Sequence, residues 1–168
     1  GATHYRTATA KRLIEAIRPT IIRGNASEIR SLVQAGGGTK GVDSLATPDD
    51  VGDFAQSLSE SADCVVSVSG PEDLIVKGRQ IARVANGVPL MVKVTGMGCT
   101  ASALTGAFAA INASPFDAAV NAMATMGITG EIAASRSAGP GSFQVSFLDT
   151  LHALTETELT NRSRISRQ

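Results

Sequence analysis

The stretch Leu90-Met91-Val92-Lys93-Val94-Thr95-Gly96-Met97-Gly98-Cys99-Thr100-Ala101-Ser102-Ala103 decides the fold. Its apolar first half predicts a strand over residues 90–94, and its small-residue end opens a helix predicted over 99–111. Between them lie two glycines, which let backbone approach a ligand closely. The helix start adds unpaired N–H groups and the positive end of the helix dipole. Chemically, Gly96, Met97, Gly98 and Cys99 form an anion hole suited to charge developing on a transferred phosphoryl group. The competing reading is a tight strand-to-helix turn with no ligand. Cys99 divides the same way: a helix N-terminus favours its thiolate, whereas most lone cysteines are small buried apolar side chains.

Outward toward the N-terminus, Cys64-Val65-Val66-Ser67-Val68 is a short β-branched strand, and Cys64 within it is a core residue. Residues 74–76 and 80–84 flank Lys77-Gly78-Arg79 and predict a hairpin. Thr47-Pro48-Asp49-Asp50 is a helix start, with a cap, Pro at N1 and acids in the first turn, and that helix runs to about Leu58. Asn25 caps an earlier helix carried by Ile29, Leu32 and Val33 and stopped at Gly36-Gly37-Gly38; Thr20-Ile21-Ile22 is the strand before it. A first helix over residues 5–17 places Tyr5, Leu13, Ile14 and Ile17 roughly on one face, and Pro19 ends it. Toward the C-terminus the pattern is helical over 116–134 and 142–154. Residues 155–168 are polar, rich in Arg, Ser and Thr, and read as a frayed tail. The alternation argues for an α/β fold with a mainly parallel sheet, flanking helices and the hairpin as an appendage. No linker is long enough to divide two domains.

The composition narrows the class. A chain of 168 residues with 43% apolar and 18% charged residues suits one folded domain. Formal net charge is zero, so the overall field recruits neither nucleic acid nor an anionic membrane. No run approaches the roughly 20 apolar residues of a spanning helix. The start lacks Met and a signal-peptide pattern, and reads as a fragment boundary or a processed end. Two cysteines make no disulfide framework, so a reduced cytoplasm is the default setting.

A second candidate cluster is Arg23-Gly24-Asn25-Ala26-Ser27-Glu28, at a strand end entering a helix. Ligands of open α/β sheets bind beyond the C-terminal ends of strands. Asn25 and Glu28 share a face of the first turn and suit a hydrated Mg²⁺; the alternative is a capping box, with Glu28 at N3. Gly36-Gly37-Gly38-Thr39-Lys40-Gly41 lacks phosphate-loop spacing and follows a helix, so it reads as a surface loop. Ser69-Gly70-Pro71-Glu72-Asp73 is a strand-end turn. His4 and His152 form no metal spacing.

These motifs, in this order, resemble the hydroxyethylthiazole kinases of the ribokinase-like superfamily. The resemblance rests on Gly1-Ala2-Thr3-His4-Tyr5-Arg6-Thr7, Ile22-Arg23-Gly24-Asn25-Ala26-Ser27-Glu28-Ile29, Gly41-Val42-Asp43-Ser44 and Asn86-Gly87. It continues through Pro89-Leu90-Met91-Val92-Lys93-Val94-Thr95-Gly96-Met97-Gly98-Cys99 and Gly139-Pro140-Gly141-Ser142-Phe143-Gln144-Val145. It implies a three-layer ribokinase-like fold over residues 1–154 and transfer of the ATP γ-phosphoryl group to the hydroxyl of 4-methyl-5-(2-hydroxyethyl)thiazole, in thiamine biosynthesis and salvage. It also implies a homotrimer with active sites at subunit interfaces. By the same likeness Arg23 and Ser69 contact the nucleotide, Ser69 where members often have Thr. Gly96 lines the substrate site, and Asn25 and Glu28 match the Asn-x-x-Glu motif near Mg²⁺. Cys99 stands where ribokinases carry an Asp base. Members have about a hundred residues before this point, a normal part-domain length, and their several strands and much of the thiazole pocket are expected to be missing here. Two other readings compete: a ribokinase-like kinase of another alcohol, and a non-enzymatic nucleotide-binding fragment.

Overall fold

The computed structural model describes residues 3–34 and 51–168. The glycine-rich loop at Gly36-Gly37-Gly38-Thr39-Lys40-Gly41, the Gly41-Val42-Asp43-Ser44 match and the helix start at Thr47-Pro48-Asp49-Asp50 lie outside the described residues, as do Gly1 and Ala2. Five strands form one sheet in the order β1-β2-β3-β4-β5: Ile21–Asn25, Val65–Ser69, Asp73–Lys77, Gln80–Val84 and Ile165–Arg167. Seven α-helices accompany them among the described residues. The described chain falls into two compact units.

The first unit comprises Gly1–Gly70 and Leu74–Ile81. β1 and β2 run parallel, with Ile22 opposite Val66 and Asn25 opposite Ser69. β2 is buried along almost its whole length, as expected for a parallel strand covered on both faces. Helices α2 (Ala26–Gln34) and α3 (Val51–Ala62) supply Ile29, Phe54, Ala55 and Leu58 to the core around Ile22, Val66, Val68 and Cys64. Their spacing is that of an inward helical stripe, and each large apolar side chain fully buried there contributes roughly 1.5–3 kcal/mol. Buried Ser59 is satisfied on both sides: its hydroxyl donates to the Cys64 carbonyl at 2.7 Å and accepts from the Gly78 N–H at 3.0 Å. The helix predicted to end near Leu58 therefore continues to Ala62 and closes onto the hairpin turn. α1 (His4–Ile17) begins at Thr3, whose hydroxyl accepts from the Arg6 N–H, and ends at Arg18 in the left-handed region. No residue of α1 is buried; Tyr5, Leu13 and Ile17 are 79%, 51% and 67% exposed.

The second unit comprises Pro71–Asp73 and Ala82–Gln168. Its axis is α5 (Pro115–Ala134), buried on nearly every side, against which α4 (Met97–Ile111) and α6 (Pro140–Ala153) pack. Alanines, glycines and threonines on α5 permit this close approach. Phe143 and Phe147 of α6 are fully buried and pair with ring centroids 5.9 Å apart.

Three expectations change. The sheet is mixed rather than mainly parallel: β2 pairs antiparallel with β3, and β4 pairs antiparallel with β5, so the hairpin strands are sheet members and no appendage. The predicted strand at 90–94 is a 3-10 turn, Pro89–Lys93. Pro89 has no N–H for a ladder, and the backbone is satisfied locally, Met91 donating to Val88 and Val94 to Met91. Val92 is accordingly 81% exposed. Finally, residues 155–168 are no frayed tail. α7 (Glu156–Arg162) opens with a reciprocal Thr155–Glu158 capping box. The Thr155 N–H on the Glu158 carboxylate holds that acid below the usual carboxylate range. β5 follows and pairs Ile165 with Val84.

Candidate active site

In the first unit, the parallel register of β1 and β2 brings their C-terminal ends side by side. Arg23 and Ser69, both nucleotide candidates from sequence, meet there: Arg23 Nη2 donates to Ser69 Oγ at 2.6 Å. Chain direction alone puts them together, because both sit on strands whose ends point the same way. A guanidinium beside a strand end and next to the N-terminus of α2 is a phosphate-binding arrangement.

Asn25 and Glu28 also come together, as a complete capping box. The Glu28 N–H donates to Asn25 Oδ1 at 2.9 Å, and the Asn25 N–H donates to Glu28 Oε2 at 2.7 Å. Ser27 Oγ adds a further bond to Asn25 Oδ1 at 2.8 Å. Gly24 makes this possible: a Cβ there would lie 3.2 Å from both Glu28 Cβ and Oε2. Both candidate metal residues remain exposed at the surface. Among the described residues no three His, Cys, Asp or Glu side chains gather as a metal cluster. Asn25 Oδ1 and Glu28 Oε2 thus serve the cap, and a hydrated cation would meet this pair through the other Glu28 carboxylate oxygen or through water.

In the second unit, the Gly96–Cys99 loop of the sequence reading is the N-cap glycine of α4 followed by its first three helical residues. Gly96 has φ +96°, a conformation costly for any residue with a side chain. A Cβ there would meet nothing within 4 Å, so the glycine answers to backbone conformation in open surroundings. Gly96 is the N-cap and supplies no side-chain bond to the helix; its carbonyl accepts from the Thr100 N–H at 2.9 Å. Gly96, Gly98 and Cys99 are exposed and Met97 partly so. The two cysteines separate cleanly: Cys64 is buried in the core, where desolvation pushes its thiol up, whereas Cys99 is exposed in the first turn of α4. His4 and His152 are exposed and lie on α1 and α6.

Sequence reasoning missed a polar cluster formed by Asn86, Glu131 and Arg164. Glu131 Oε1 accepts from Arg164 Nη2 at 2.6 Å, from the Gly87 N–H at 2.8 Å and from Asn86 Nδ2 at 3.1 Å. The available signal was a carboxylate close to a helix C-terminus, against the helix dipole.

The Hydroxyethylthiazole kinase family model matches residues 1–157. A hydroxyethylthiazole kinase of Leptospira biflexa is 52% identical over 92% of this chain and 58% of its own length. The solved hydroxyethylthiazole kinase of Pyrococcus horikoshii superposes with a TM-score of 0.89 at 30% identity, covering 100% of this chain and 62% of that one. A Staphylococcus aureus pyridoxal kinase, solved with pyridoxal, shares the fold at a TM-score of 0.57 and 22% identity, over 74% of this chain and 46% of its own. The chain therefore spans about three fifths of the length of its hydroxyethylthiazole kinase relatives. By fold, by motif order and by these likenesses, the chain belongs to the hydroxyethylthiazole kinase family of ribokinase-like enzymes.

Proposed function

We propose that this chain carries the phosphoryl-transfer half of a kinase that moves the γ-phosphoryl group of ATP to the hydroxyl of 4-methyl-5-(2-hydroxyethyl)thiazole, in thiamine biosynthesis and salvage. The observation that carries the reading is the uncapped start of α4 at a positive-φ glycine, in a member of this family. There, backbone N–H groups and the helix dipole face the charge that builds on the transferred group.

Each part has a role in this reading. Arg23 and Ser69 hold the nucleotide phosphates; Gly96 lets the thiazole alcohol approach the backbone; Cys99 accepts the proton of its hydroxyl as oxygen attacks phosphorus. Asn25 and Glu28 hold Mg²⁺, which when bound supplies charge neutralisation to the phosphates. The remaining length of the relatives furnishes the rest of the acceptor pocket, and three copies assemble in the cytoplasm. The exposed apolar side chains Tyr5, Leu13 and Ile17 on α1, and Val145 and Leu148 on α6, support such assembly. No helix among the described residues is long and apolar enough to cross a membrane.

The test is phosphorylation of the thiazole alcohol by ATP, followed by mass spectrometry, with the chain alone and with the chain completed to the relatives' length. Product is expected from the completed protein and calorimetric ATP binding from both. A completed, folded protein that neither binds ATP nor yields phosphorylated thiazole overturns the reading.

A further inference from the structure

Three residues on one turn of α5, Gly127, Gly130 and Glu131, meet a single stretch of chain that leads into the Gly96–Cys99 loop. A Cβ on Gly127 would stand 2.6 Å from the backbone of Asn86, and one on Gly130 would stand 2.5 Å from Met91 Sδ. At Gly127, glycine is therefore what lets the Asn86 backbone lie against the helix, while at Gly130 it makes room for the flexible Met91 side chain. Glu131 closes the contact with a carboxylate only 15% exposed. It takes the Gly87 N–H, the Asn86 amide and the Arg164 guanidinium.

Every other bond in the cluster holds the same turn. Buried Asn86 accepts the Arg164 N–H at 2.8 Å on Oδ1 and donates to the Arg162 carbonyl at 2.9 Å. The Arg164 guanidinium also donates to the Ala85 carbonyl, at 2.7 Å from Nη2. Gly87, between these groups, has φ +136°. A carboxylate near the C-terminal end of α5 runs against the helix dipole, so helix stability alone does not account for it. What the position gains is three donors that fix one turn of approaching chain, with charge assistance from Arg164.

From that turn the chain passes through the 3-10 turn Pro89–Lys93 and buried Val94 directly into Thr95 and Gly96. On the far side of the loop, α4 packs on the same α5. Both ends of the Gly96–Cys99 loop are thus referred to one buried helix. We propose that Glu131, anchored by Arg164, is a positioning residue for the Gly96–Cys99 loop: it fixes the Asn86–Gly87 turn and so sets where the loop's N–H groups stand. The role in turnover rests on the reading of that loop as the phosphate-facing site; the role in loop geometry does not.

The experiment compares wild type with Glu131→Gln, Arg164→Ala and Arg164→Lys by amide hydrogen exchange, thermal midpoint and, in protein completed to the relatives' length, steady-state kinetics. Glu131→Gln keeps size and an acceptor for Gly87 but loses the charge that holds Arg164. Exchange over residues 95–101 is expected to quicken at least fivefold while residues 21–34 are unchanged. kcat is expected to fall about ten- to a hundredfold, the scale of a displacement near 1 Å, with KM for ATP within about twofold. Arg164→Ala should follow, and Arg164→Lys should recover part of the loss. Unchanged exchange over 95–101 in both Glu131→Gln and Arg164→Ala overturns the proposal. So does faster exchange spread evenly over the chain with a lowered midpoint, the mark of a purely structural role. Should Glu131→Gln not fold, Arg164→Lys against Arg164→Ala decides by the same exchange ratio. A wild type that turns over no thiazole alcohol defeats the functional reading alone, since exchange still decides the positioning.

Discussion

The starts of α2 and α4 are built in opposite ways. α2 spends its first N–H groups on its own side chains: Asn25 caps Glu28, and Glu28 reaches back to Asn25. α4 begins at a glycine with positive φ and no side-chain cap. A cap of the first kind stabilises a helix by about 1 kcal/mol. A start without a side-chain cap forgoes that stabilisation, and the positive end of the helix dipole there suits an anion. On the proposed reading, the phosphoryl-facing electrostatics belong to α4, while the α2 corner contributes through its side chains, Arg23 above all.

The hardest strike at this contrast is Cys99→Ala. With Cys99 as base, kcat in the completed protein falls about 10²–10⁴-fold, the usual range for a general base. Cys99→Asp keeps or raises the rate, since a carboxylate is ionised at neutral pH. Equal kcat for wild type and Cys99→Ala, measured by coupled assay, would leave the loop a purely electrostatic site. Next in size is Arg23→Ala. It removes the charge-assisted contacts of a half-buried guanidinium, worth roughly 1.5–3 kcal/mol, so ATP affinity by calorimetry falls about ten- to a hundredfold. Arg23→Lys recovers only part, lacking the planar fork. Unchanged ATP affinity in a folded mutant ends the assignment of Arg23.

Asn25→Ala tests the capped end and has a smaller effect, about 1 kcal/mol of stability by denaturant titration. Asn25→Ser restores the cap and the stability. If Asn25 also holds Mg²⁺, the Mg²⁺ concentration for half-maximal activity rises in Asn25→Ala and stays raised in Asn25→Ser. A requirement that returns to normal with the cap confines Asn25 to capping.

The smallest effect extends the contrast to a third start, that of α5, which is capped by Ser114 and tied by Asp117 to Arg167 of β5. The Arg167 hydrogen bond, with Ser114 assisting, holds the Asp117 carboxyl below its ordinary value. The folded pKa is the lower one, so this stabilisation is complete above the unfolded pKa of about 3.9 and disappears as pH falls through the folded value. Thermal midpoints of wild type and Asp117→Asn should differ slightly at pH 6 and converge at low pH. A gap that persists at pH 2 contradicts the linkage.

Much of this was legible in the amino-acid order because it is local chemistry. The turn at Gly96, the Asn25–Glu28 pair three residues apart, the β-branched core strand with Cys64 and the hairpin at Gly78 each follow from residue types at short spacing. Period and capping signals also marked the helices, though not the inward or outward sense of α1, where Ile14 packs against the core while Tyr5, Leu13 and Ile17 stay exposed. Tertiary structure decided what depends on partners distant in sequence. Residues 90–94 have a strand's composition, yet Pro89 and local carbonyls turn them into a 3-10 turn. Residues 155–168 are polar enough to fray, yet β4 offers Ile165–Arg167 an edge to pair with, and Glu131 offers Arg164 a carboxylate. Arg23 and Ser69 lie 46 positions apart and meet only because β1 and β2 run parallel in register. Short-range spacing determines which groups can act, because the backbone fixes their relative placement within a turn or two. Long-range pairing determines which of them meet, because a strand's edge and a helix's flank accept whatever chain brings the right hydrogen bonds and charge.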